Sequence, residues 1–215
     1  MEAFVNCLWY EDQKYRPKLA KQRLVCANVE NLGSQHNLDL CFSDVTLESY
    51  FDMYMTQEIQ WKTIKLILIP VFDRGHYSLY VVNFEVNRID VLDMLNNENV
   101  GTTWMDHHGD TGGTLIDRLN TMLQWKSKGA LCKFGNFRHT KFECPLMSRS
   151  NDCAFLAMKF IKHCTGLTEC LRDVINPEKS AELRSEYLYY QLFHPKNQAQ
   201  LPKEISRYRI DGVPF

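Results

Sequence analysis

Residues 64–93, IKLILIPVFDRGHYSLYVVNFEVNRIDVLD, hold three apolar runs separated by two sets of turn residues. Ile64 to Phe72 is almost unbroken aliphatic sequence ending near Pro70, the composition of a strand buried on both faces. Asp73-Arg74-Gly75 marks a turn, and His76 to Glu85 reads as a second strand. Val86-Asn87 turns the chain into a third, Arg88 to Leu92, so the last two strands form a hairpin. His76 opens one strand of that hairpin and Asp93 closes the other. In an antiparallel pair those ends share one edge of the sheet, so 17 positions of sequence become hydrogen-bonding distance. Asp90 competes with Asp93 for His76. The two stand three positions apart on a strand and face opposite ways, and the strand-end position favours Asp93.

The flanking sequence is helical in period. Met1 to Tyr15 places Phe4 and Leu8 with Val5 and Trp9 on one face, and no capping residue precedes it. Cys26 to Asn37 reads as loop, and Ser43 can cap a helix through Leu47, Tyr50, Phe51 and Tyr54. A helix is expected from Thr114 to Trp125, with Leu115, Leu119, Met122 and Leu123 on one face, then a short strand from Phe137 to Glu143. Asn176 with Pro177 opens a last helix through Leu183, Tyr187, Tyr190 and Gln191, whose aromatic residues, with Tyr189 and Phe193, read as core packing. From His194 the chain is expected to form a mobile tail, 194–215.

Between them lies CPLMSRSNDCAFLAMKFIKHCT, residues 144–165, a loop that turns into a helix. Asn151 and Asp152 suit the N-cap, and Ala154, Ala157, Met158, Ile161 and Cys164 recur at helical spacing before Gly166. Cys153 falls in the first turn, where unpaired N–H groups and the helix dipole favour a thiolate. Taken alone, the segment fits a small buried hydrophobe better than a nucleophile. With His76 as base and Asp93 to orient it, the three residues supply what thiol catalysis requires.

Composition narrows the function classes. With 25 basic and 26 acidic side chains the net charge is -1, so neither nucleic acid nor membrane is favoured as partner, and a protein surface is. The 45% hydrophobic content suits one domain, residues 1–215. Eight cysteines without a CxxC pair read as reduced thiols, which points to nucleus or cytoplasm. The apolar run Leu66 to Phe72 is too short to span a bilayer.

Three motifs carry a resemblance: GHYSL (75–79), RIDVLD (88–93) and PLMSRSNDCAF (145–155). Their order and spacing resemble the ubiquitin-like-protein-specific cysteine proteases, the SUMO-protease and adenain-like group, including plant transposon-associated relatives. The resemblance covers most of the chain. It implies an α+β, papain-like fold, a mixed central sheet flanked by helices. It implies His76 as base, Asp93 as its partner and Cys153 as the nucleophile that cleaves after the C-terminal Gly-Gly of a ubiquitin-like modifier, with no cofactor. It also exposes departures. Met147 stands six positions before Cys153, where the family has the Gln whose amide helps bind the oxyanion, and a thioether donates no hydrogen bond. Ala154 replaces a Gly, and Tyr77 replaces a Trp that forms one wall of the Gly-Gly tunnel. The second wall is a Trp ahead of the first helix in the family, so the expectation is a domain truncated at its N-terminus. These departures motivate an alternative: a weak or inactive pseudoprotease that binds a modifier or another protein.

Two clusters are read as plain surface. Asp106, His107, His108 and Asp110 offer metal-ligand atoms in a Gly-rich loop, but no second ligand set is evident, and the expectation is solvated histidines with no metal. Lys14, Arg16, Lys18, Lys21 and Arg23 read as a solvated basic face that can also meet an acidic patch on a modifier.

Overall fold

A computed structural model describes residues 1–26, 29–30, 59–95, 101, 103–147, 149, 151–166, 168, 171 and 174–210. Its centre is β3 (Leu66–Asp73), flanked on one side by β4 (His76–Asn83), with β5 (Arg88–Leu92) and β6 (Arg138–Phe142) beyond. On the other side β1 (Arg23–Val25) and β2 (Val29–Glu30) both pair with β3 in parallel. The β3–β4 and β4–β5 pairs are antiparallel and β5–β6 is parallel, so the sheet is mixed.

The β3–β4 connection explains the DRG signal. Asp73 pairs with His76, leaving Arg74 and Gly75 as a two-residue loop with φ of 49° and 79°. Two successive left-handed residues match the twist of a hairpin, and Gly at the second takes that conformation without strain. Pro70, expected to end the strand, lies inside it. It falls between the β1 register (66–68) and the β2 register (71–72), so on that side its missing N–H interrupts no pairing.

Period-two alternation divides the core. Leu66, Leu68, Leu79, Val81 and Leu92 face α1 (Glu2–Tyr15), α5 (Cys153–His163) and α6 (Ser180–Phe193). Ile67, Ile69, Val71, Tyr80, Val82, Ile89 and Val91 face α4 (Asp110–Lys126). Every residue from Leu66 to Val71 is buried, as expected of a strand covered on both faces. On α5, Leu156, Phe160 and Ile161 are fully buried, each contributing about 1.5–3 kcal/mol.

Several elements differ from expectation. The helix expected at Thr114 starts at Asp110 and is preceded by α3 (Trp104–His108), so the DHHGD stretch is helical, not loop. Its start is a capping box: the Asp106 N–H donates to Thr103 Oγ1, and Thr103 N–H donates to Asp106 at 2.6 Å. Arg23 is buried instead of solvated. Its guanidinium pairs with Asp12 of α1 at 2.6 Å and donates to the carbonyls of Ile161 (2.8 Å) and Cys164 (2.9 Å). It thereby satisfies the last carbonyls of α5 and ties the C-terminus of that helix to α1.

Asn176 opens a helical segment as expected, accepting from Glu178 N–H at 3.0 Å; a 3-10 turn, Pro177–Lys179, leads into α6, which is not the last helix. After the buried His194 the chain passes through α7 (Lys203–Ser206), and Ile210 N–H donates to the Tyr189 hydroxyl at 2.9 Å. The helix expected after Ser43 lies outside the described residues, as does most of the loop expected over Cys26 to Asn37. Among the described residues no helix is long and apolar enough to cross a membrane.

Candidate active site

His76 is the first residue of β4, Asp93 directly follows β5, and Cys153 is the first residue of α5. The hairpin brings the first two together: His76 Nε2 lies 2.6 Å from Asp93 Oδ1. That leaves Nδ1 as the ring nitrogen for Cys153. The arrangement is papain-like, with the ring held at one nitrogen and exchanging the thiol proton at the other. Asp90, the competitor, is turned away, bound to Arg88 and to the Thr168 hydroxyl at 2.6 Å.

The electrostatics separate Cys153 from the other thiols. Burial opposes its ionisation, but hydrogen bonding to His76 and to the N–H groups of Tyr77 and Ala154 outweighs it, and its pKa falls below the ordinary thiol value. Burial instead pushes Cys7 up to about 11 and Cys144 to about 12. Cys153 is buried, as a small hydrophobe would be, yet its thiol is shifted in the direction opposite to those of Cys7 and Cys144. His76 moves the opposite way. Burial disfavours its charge, yet hydrogen bonds to Asp93 and Cys153 raise it to about 9. Asp93 is also buried, and hydrogen bonds from His108, His76 and the Leu95 N–H hold its carboxyl well below the usual range. Each of the three groups is thus shifted toward its charged form.

Asp152 occupies the N-cap position of α5 but caps nothing, a departure from expectation. Its carboxylate is buried and instead accepts from Arg184 Nε of α6 at 2.6 Å. The ion pair ties the start of α5 to α6.

Tyr77 is half-buried, its ring 4.7 Å from that of Phe72 on β3. Met147 is also half-buried. Its N–H donates to Met94 O at 2.9 Å, next to Asp93, and its side chain packs against the apolar cluster that α1, α5 and α6 share with the sheet.

His108 is the site residue that sequence reading missed. It is 5% exposed rather than solvated, its Nε2 is 2.8 Å from Asp93 Oδ2, and its Nδ1 is 2.8 Å from the Tyr80 hydroxyl. Its signal was the Thr103-x-x-Asp106 capping box, which predicts a helix there and so a definite inner face. His107, Asp106 and Asp110 do not join it in a ligand cluster, and no group of metal-ligating geometry forms among the described residues.

A Cys-His-Asp constellation on a mixed sheet flanked by helices defines the fold as that of the Ulp1-like and adenain-like cysteine proteases. The SUMO protease Ulp1, its catalytic cysteine oxidised to a sulfenic acid, is similar with a TM-score of 0.57 at 13% identity, over 88% of this chain and 75% of that one. The C-terminal Ulp1 protease domain in complex with Smt3, the yeast ortholog of SUMO, is similar at 0.51 and 14% identity, over 81% and 71%. A de-sumoylating protease is similar at 0.50 and 12% identity, over 88% and 76%. No family model and no curated protein sequence matches the chain.

Proposed function

We propose that this chain is a cysteine-type peptidase acting on a ubiquitin-like modifier of the SUMO kind, and that it cleaves after the modifier's C-terminal Gly-Gly. The observation that carries this reading is the convergence of Cys153, His76 and Asp93, with His76 Nε2 2.6 Å from Asp93 Oδ1 and the Cys153 thiol, unlike those of Cys7 and Cys144, pushed down by hydrogen bonding to His76. The Cys153 thiolate attacks the glycyl carbonyl, and the imidazolium of His76 gives its proton to the departing amine. Water, deprotonated by His76, then attacks the thioester carbonyl; the C–S bond breaks, the modifier leaves with its C-terminal carboxyl free, and the thiolate and imidazolium are restored. Asp93 keeps the ring oriented through both steps. The complex of Ulp1 with Smt3 supports the choice of modifier, and the cysteine usage supports the nucleus or cytoplasm as location.

Oxyanion stabilisation is where the site is weak. Met147 supplies no donor, which leaves backbone N–H groups at the start of α5. Loss of one such donor costs about 10² to 10³ in turnover. That residue favours a second reading: a fold that grips a modifier with little turnover. Both readings are tested by treating the chain with ubiquitin-like modifiers that carry a C-terminal electrophile, with Cys153→Ser and His76→Ala as controls. A covalent adduct lost in both controls is the expected result. Binding of an unreactive modifier without an adduct would replace the peptidase reading with the second one.

A further inference from the structure

Asp93 has two buried oxygens and both are engaged. Oδ1 accepts from His76 at 2.6 Å and from the Leu95 N–H at 2.9 Å; Oδ2 meets His108 Nε2 at 2.8 Å. His108 is itself fixed from three directions. Its Nδ1 meets the Tyr80 hydroxyl at 2.8 Å, its ring lies 5.2 Å from that of Trp104, and α3, which carries it, is pinned by the Thr103–Asp106 capping box. The path for Tyr80 is also cleared: a Cβ on Gly112 of α4 would stand 2.8 Å from the Tyr80 hydroxyl oxygen. Glycine inside a helix costs about 0.5–1 kcal/mol relative to alanine, and here it makes room for that hydroxyl.

We infer that His108 is a positioning residue of the thiol site: held by Tyr80, it donates Nε2–H to Asp93 Oδ2 and locks the carboxylate in the rotamer whose Oδ1 orients His76. Without this donor one buried oxygen loses its partner, and the carboxylate is free to turn toward another. A carboxylate that turns away no longer selects the His76 tautomer with its proton on Nε2, and Nδ1 then meets Cys153 in the wrong state. Among the described residues, the other titratable groups around His108 include Asp73 at the β3–β4 turn and His107 on α3, with Arg74 of the same turn acting on His107. Cys144 Sγ donates to the backbone oxygen of Asp93 at 3.3 Å.

This inference rests on the proposed thiol chemistry, so the test reads the two separately. Iodoacetamide labelling of Cys153 is followed from mildly acidic to neutral pH in the parent, His76→Ala, His108→Phe and His108→Gln. Phenylalanine keeps the ring without the donor; the amide nitrogen of glutamine stands near the place of Nε2. The expected result is labelling at mildly acidic pH about 10-fold slower in His108→Phe, a rise of about one unit in thiol pKa, and recovery to within about threefold in His108→Gln. Unchanged labelling in folded His108→Phe, or equal loss in both variants, overturns the positioning role. If His108→Phe does not fold, Tyr80→Phe takes its place, with about a threefold loss expected and no loss overturning the inference. If the parent is no faster than His76→Ala, the thiol reading itself fails. The positioning role is then read from the low-field imidazole N–H proton of His76, expected in the parent and in His108→Gln. Its persistence in His108→Phe overturns the role.

Discussion

Asp93→Asn keeps the shape of the side chain and removes its charge. The hydrogen bonds can be rebuilt: the asparagine oxygen takes the place of Oδ1, and its amide faces a His108 turned to the Nδ1–H tautomer, which then donates to Tyr80. What is lost is the charge beside His76. Burial alone would lower the His76 pKa, yet bonds to Asp93 and Cys153 raise it from 6.5 to about 9. That rise corresponds to about 3 kcal/mol of folding free energy, an upper limit for Asp93 because Cys153 holds a share. A raised folded pKa gives stability that is complete below the unfolded value and lost as pH rises through the folded one. The carboxyl of Asp93 is shifted down, so its own contribution is present above 3.8 and lost as pH falls below that. Urea unfolding of parent and variant across a pH series should therefore show a stability difference on a plateau between about pH 4 and pH 6.5 that declines through about pH 9. A difference that stays flat from about pH 5 to pH 10 would refute the ion-pair account.

Met147→Gln should raise turnover on a modifier-derived substrate by about 10² to 10³ with little change in the pH dependence of Cys153 alkylation, since it adds an oxyanion donor and leaves the thiolate alone. Equal turnover would remove Met147 as the cause of a slow site. Arg23→Met strands the buried Asp12 and the last carbonyls of α5, and should lower unfolding free energy by about 3 kcal/mol in urea; Arg16, which also pairs with Asp12, keeps the cost near the low end. Gly112→Ala should lower the melting temperature by several degrees, about 1–3 kcal/mol, because its methyl meets the Tyr80 hydroxyl. Adding Tyr80→Phe to that variant should restore most of the loss, and a purely additive double variant would contradict the contact.

Local pattern made the hairpin legible. The aliphatic run of β3, the Arg74-Gly75 turn and the alternation of β4 leave one register in which both faces of the sheet are apolar. The ends of β4 and β5 follow from that register, and with them the meeting of His76 and Asp93. Helical period likewise placed Cys153 in a first turn. The sequence misread residues whose surroundings come from distant segments. Arg23 sits in a run of basic residues that looks solvated, and only the docking of α1 and α5 buries it. Asp152 looks like a helix cap, and only α6 supplies Arg184 to take its carboxylate.

By itself the sequence determined the strands from β3 to β6, the turn between β3 and β4 and the order His76, Asp93, Cys153, because these depend on side-chain periodicity and on conformations set within a few residues; β1 and β2 lie where it reads as a basic face and a loop. Tertiary structure alone decided that His76 and Asp93 meet Cys153 at the start of α5 and that a second histidine, His108, lies against the Asp93 carboxylate. Ionisation answers to burial and to charges within a few ångströms, and Cys153, whose helix start is a local feature, differs from Cys7 and Cys144 above all in having His76 beside it. His108 reached Asp93 for the same reason: 15 positions of chain close to 2.8 Å only when α3 is laid against the end of the sheet.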